Sequence, residues 1–164
     1  MSSKKNRPDS RPQSEPKATP ADADIVLRLY EQRREPELRK ARNYVCFEFA
    51  PTTIDEFTSV SMNFGTPEQT YIRMAFSYWE QAAALVNRGA VHAGLFDDFG
   101  GELYFIYAKY KQFIPAVRRQ MDNPNFLINI EKVAERSPQT RERVTRMEKM
   151  IAERRRPRAA RTGS

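Results

Sequence analysis

Apolar positions recur at intervals of three and four along most of this chain, the period of a helix that buries one face. The longest such pattern covers residues 67–88, where Ile72, Phe76, Trp79, Ala83 and Val86 form a narrow stripe. Tyr71, Ala75, Tyr78, Ala82 and Leu85 widen the stripe to roughly half the circumference, so this helix is expected to pack against more than one neighbour. Gln69, Arg73, Ser77, Glu80, Gln81, Asn87 and Arg88 take the other half, and Gly89 follows as a natural residue just past a helix end.

The same period predicts the remaining elements. A first helix covers 20–34, with Ile25, Val26, Leu29 and Tyr30 on one side. A second covers 36–49 on Leu38, Ala41, Val45 and Phe49, and Pro51 ends it. A short helix covers 54–62, followed by a turn over 63–65. Residues 91–99 form one or two helical turns, broken by Gly100-Gly101. A long helix then covers 102–121 on Leu103, Ile106, Tyr107, Tyr110, Phe113, Ile114 and Val117, kinked near Lys111 by Pro115. The next covers 124–136 with Phe126, Leu127, Ile130 and Val133. The last runs from 138 to about 154 and is thinly apolar, with Val144, Met147, Met150 and Ile151.

Proline marks where these helices begin. Thr19-Pro20, Thr66-Pro67, Asn123-Pro124 and Ser137-Pro138 each join a good capping residue to a proline. Proline drives the preceding residue into extended geometry, which a cap requires, and its missing N–H costs nothing at the first helical position. Gln69, three residues after Thr66, completes a capping box. Glu35-Pro36 is a weaker pair, read either as a start or as a kink inside one longer helix. Residues 44–49 are rich in strand-forming side chains but continue a helical pattern. No internal repeat occurs. The expected fold is therefore all-α: a single-domain bundle of five to seven helices over 21–151, with disordered termini at 1–20 and 152–164.

Composition divides the chain in the same places. The net charge of +7 and the pI of 9.7 belong to the ends. Residues 1–20 carry +3, residues 21–137 carry −2 and residues 138–164 carry +6. A near-neutral body argues against a basic groove across the fold, and basic ends argue for solvated tails or tails that meet an acidic partner. Cys46 is the single cysteine, which suits a reducing compartment. The N-terminus lacks an apolar signal region, and no stretch approaches the roughly 18 apolar residues of a membrane span. A cytoplasmic setting is expected.

Candidate chemistry is sparse. Asp97, Asp98 and Glu102 form an acidic cluster that, with Glu80, could pair as carboxylates or hold a divalent ion such as Mg²⁺. The plainer reading has Asp97 or Asp98 capping the following helix and Glu102 meeting the dipole of its first turn. His92 is the only histidine, so a zinc site with several nitrogen ligands is excluded and a helix-start or surface role is expected. Gly100-Gly101 lacks the context of a phosphate loop. Cys46 sits among apolar residues with no nearby cation to activate it. Tyr104, Tyr107 and Tyr110 fall at helical spacing and read as core. Arg154, Arg155, Arg156, Arg158 and Arg161 form the strongest charge signal, suited to phosphate polyanions or acidic surfaces. No catalytic residue, cofactor or metal site is assigned.

A resemblance joins these features. Leu29-Tyr30-Glu31 with Arg34, Pro36-Glu37-Leu38-Arg39-Lys40-Ala41-Arg42, Trp79-Glu80, Val86-Asn87-Arg88-Gly89 and Leu95-Phe96-Asp97-Asp98-Phe99-Gly100 come in that order. Phe113-Ile114 with Arg118, and Phe126 after Asn123-Pro124, complete the series. In this the chain resembles a bacterial family of uncharacterised helical proteins, catalogued as a domain of unknown function, over roughly residues 24–133. The resemblance implies a helical fold and supplies no activity or catalytic residues. Members of that family often look tethered to a membrane by an N-terminal helix, from which this polar N-terminus departs.

Three functions are then weighed. The first is a non-enzymatic helical protein-interaction module, docking a protein partner or a second copy of itself. The second is weak nucleic-acid or anionic-surface binding through the basic tails. The third is a metal-dependent enzyme built on the carboxylate set.

Overall fold

A computed structural model describes residues 16–155. They form nine α-helices and one π-helical turn, with no strand among the described residues. Helix α1 (Pro20–Gln32) starts on Thr19, which exchanges hydrogen bonds with Asp22 in a full capping box. Helix α2 (Pro36–Asn43) starts on Glu35, whose carboxylate accepts from the Leu38 N–H at 2.7 Å. Pro36 therefore opens a helix instead of kinking one. Helix α2 runs directly into the π-helix Tyr44–Glu48, so the strand-forming side chains of this stretch do stay helical.

Then follow α3 (Ile54–Ser61), α4 (Pro67–Asn87), α5 (Ala93–Phe99), α6 (Gly101–Tyr110), α7 (Ile114–Gln120), α8 (Ile128–Glu135) and α9 (Pro138–Arg155). Nine helices exceed the expected five to seven for a local reason. The single helix expected over 102–121 is two. Pro115 offers no N–H and its ring crowds the carbonyl of Lys111. Phe113 N and Ile114 N bond three residues back, to Tyr110 and Lys111, and the helix restarts as α7. The helix expected from Pro124 begins only at Ile128, because Asn123 Oδ1 accepts from Asn125 N and closes a local turn instead.

Helix α4 lies at the centre, against α2, α3 and α8, as its broad apolar face requires. Helix α6 packs on α8 and α9, and α1 on α5. Trp79, Tyr104, Tyr110, Phe57 and Phe96 are the largest fully buried side chains. Phe57 stacks on Phe113 at 5.1 Å, and Phe76 meets Tyr110 edge-on at 5.3 Å. The sparse stripe of α9 is used inside the chain: Val144 is buried and Met147 packs on the core. No helix among the described residues is long and apolar enough to cross a membrane.

Candidate functional site

The structure uses the four carboxylates singled out in the sequence separately. Glu102, in the first turn of α6, is a junction. Its carboxylate takes Arg42 Nε at 2.7 Å and Nη2 at 2.5 Å, Trp79 Nε1 at 2.9 Å, and Arg33 Nη2 at 3.5 Å. Asp97 does not cap the next helix, whose cap position is Gly100. It accepts from the Tyr104 hydroxyl and pairs with Arg136. Asp98 is exposed and has no hydrogen bond or ion pair among the described residues. No group of three or more His, Cys, Asp and Glu side chains among the described residues is placed to hold a metal ion.

Glu80 does the capping that the sequence hides. Leu127 occupies the cap position of α8 with φ at +53°, a left-handed backbone that a leucine adopts at a cost, and it carries no oxygen to accept from the first helical N–H groups. Glu80, from α4, supplies both acceptors. Oε1 takes Asn129 N at 2.9 Å and Nδ2 at 2.8 Å, and Oε2 takes Ile130 N at 3.0 Å. Glu80→Gln turns an amide N–H toward the Ile130 N–H and removes a negative charge from a helix start. A loss of about 1.5 kcal/mol is expected in urea unfolding, with faster amide exchange at Asn129 and Ile130. Unchanged exchange at those two amides would refute the capping role.

The other titratable groups are similarly engaged. His92 is a helix-start residue: its Nδ1 accepts from Leu95 N at 3.0 Å as the cap of α5. Burial pushes the Cys46 thiol up to about 12, so it is no nucleophile at neutral pH. Lys109, which the sequence reading passed over, is buried, and its ammonium donates to the carbonyls of Val45 at 2.8 Å and Cys46 at 3.0 Å. Arg154 and Arg155 end α9 with exposed side chains, and Arg155 Nη2 donates to the Pro51 carbonyl at 3.2 Å. Arg156, Arg158 and Arg161 lie outside the described residues.

One of several cavities, of about 320 Å³, lies between α3, α4, α7 and the turn before α8. Its base is apolar and belongs to the core: Phe57, Ile72, Phe76 and Val117 are each at most 4% exposed. Its rim carries Phe64, 75% exposed, and Met121, 46% exposed. One wall is a polar row on α4. Gln69, Arg73, Ser77 and Glu80 recur at helical spacing and all line the cavity. These are residues of the polar half of α4, beside an apolar base to which α3 gives Phe57, α4 itself Ile72 and Phe76, and α7 Val117. Arg73 makes no ion pair or hydrogen bond among the described residues, and Gln69, 6% exposed, makes none with its side-chain amide. Sequence periodicity alone could not find this site, because it joins residues of the segment 57–80 to residues of the segment 117–127.

Comparison with known proteins gives one match. The family model described as a domain of unknown function (DUF4760) matches residues 18–137. No curated protein and no solved structure matches the chain.

Proposed function

The chain belongs to the family of this domain of unknown function, DUF4760, and on its geometry we propose a non-enzymatic protein-interaction module that docks an apolar anchor of an acidic partner segment in the α3–α4–α7 pocket. The pocket carries the reading. Its volume of about 320 Å³ lies at the lower end of ligand pockets and suits one or two large side chains. Its base is already packed in the core, which lowers the entropic cost of docking. Phe64 and Met121 at the rim give an apolar collar of the kind that surrounds an interface anchor. Arg73 at the wall favours acidic residues beside that anchor. Glu80, Asp97, Glu102 and the buried Lys109, by contrast, are spent on structural contacts. A single buried cysteine is in keeping with a module that works in the cytoplasm.

Selection from a random peptide library on the whole protein tests this. Enriched peptides are expected to pair Phe, Trp or Leu with Asp or Glu, and to lose at least tenfold in affinity on Ser77→Trp. Ser77 is exposed on the pocket wall, so the indole blocks the cavity without entering the core. Enriched peptides that lack an apolar anchor, or that bind Ser77→Trp equally well, would end the reading.

A further inference from the structure

We infer that the docked segment lays one of its own peptide units against the side-chain amide of Gln69, so that the pocket recognises main chain together with an apolar side chain. This rests on the pocket being the docking site. Gln69 sits in the first turn of α4, and its backbone N–H bonds Thr66 Oγ1 at 3.3 Å, half of the capping box its position predicts. The returning half is absent. The Thr66 N–H donates to the Asn63 carbonyl at 3.4 Å, so it has no use for the Gln69 side chain. The amide is turned instead to the cavity wall, where the residue is 6% exposed and has no side-chain hydrogen bond among the described residues.

An occupant that displaces water from this amide must replace both of its functions or leave a buried polar group unmatched, a loss of about 1–3 kcal/mol. Gln69 offers N–H groups and a carbonyl side by side. A peptide unit offers the matching carbonyl and N–H. A carboxylate supplies acceptors alone and leaves Oε1 without a donor, and a hydrocarbon supplies neither. Among the polar groups of the lining, Gln69 is the one that is 6% exposed and offers donor and acceptor together, while Arg73 and Ser77 are exposed on the wall. Glu80 is fully taken by α8, and Asn123 Oδ1 by Asn125 N.

Two probes on the ¹⁵N- and methyl-labelled full chain separate this inference from the reading beneath it. One is N-acetylphenylalanine N-methylamide, which carries a ring and two peptide units. The other is propylbenzene, which carries the ring alone. Both are expected to shift the methyl resonances of Ile72 and Val117, but only the amide probe should shift the Gln69 side-chain NH₂. Gln69→Met, close in shape, should weaken the amide probe about tenfold and leave propylbenzene within twofold. Methyl shifts with an amide affinity unchanged in Gln69→Met would overturn the inference and leave the docking site standing. If neither probe moves the Ile72 and Val117 methyls, the docking site and the inference fall together.

Discussion

Glu102→Gln is expected to lower the unfolding free energy by about 3 kcal/mol, with a fall in Tm of roughly 10 °C. The side chains of Glu102, Arg42 and Arg33 are only 15%, 17% and 19% exposed, so solvent screens the group weakly. One carboxylate serves two guanidinium groups and the indole N–H of Trp79. It thereby ties together the end of α1, helix α2, the middle of α4 and the start of α6. The glutamine keeps the shape and one acceptor for Trp79, but it leaves two partly buried cations without a counter-charge. Removing one partner of such a pair costs far more than replacing the whole pair would. Arg42→Met in the Glu102→Gln background should therefore recover part of the loss, a sign that the orphaned charge is the cause. Urea unfolding of the four proteins of this cycle measures the coupling. A loss below 1 kcal/mol, or one that vanishes in 0.5 M salt, would make the junction an ordinary surface pair.

The position of Glu102 also marks how far sequence reasoning reaches. Its place in a first helical turn is legible, because dipole and capping preferences act within one turn. Its partners, from residues 33, 42 and 79, are not, because nothing in the local pattern records them. The same division runs through the fold. Thr19, Thr66 and Ser137 cap helices as their pairing with proline predicts, through bonds that span three residues. The wide stripe of α4 correctly requires several neighbours. Asn123-Pro124 fails as a helix start because two requirements compete: the asparagine satisfies its own turn, and the real start borrows its cap from Glu80, 49 residues earlier in sequence. Pro115 is legible as a disturbance, but a kink and a restart differ only in whether the neighbouring turn keeps α-helical bonds, and here Phe113 N and Ile114 N bond three residues back instead. Gln69 is the sharpest case. Its spacing from Thr66 fits a capping box, and the unused half of that box is what turns its amide into the pocket.

Lys109→Met is expected to change the pH dependence of stability by about 3 kcal/mol between pH 7.5 and 10.5. Lys109 is 5% exposed and meets no carboxylate among the described residues. It is there because the π-helix ends at Glu48 and the chain leaves Phe49 in extended geometry. The carbonyls of Val45 and Cys46 then lack amide donors, and the Lys109 ammonium and the Tyr110 hydroxyl supply them. Burial lowers the ammonium from its ordinary value to about 8, with the charge of Arg155 acting the same way and the Cys46 thiol against it. In the unfolded chain the same group titrates near 10.4. Below pH 8 both states hold the proton, and the folded state bears the full cost of a buried charge. Between the two values the folded state sheds the proton while the unfolded state keeps it. The unfolded state then binds more protons, so stability rises with pH across this window. Cys46 and Tyr110 act oppositely, since burial raises both and favours their neutral forms in the fold. They are present in both proteins, so the difference between wild type and Lys109→Met isolates the lysine. That difference should move toward the wild type as pH rises from 7.5 to 10.5. A constant difference across the window would mean that the carbonyls of Val45 and Cys46 hold the ammonium charged throughout, and that burial does not govern its titration.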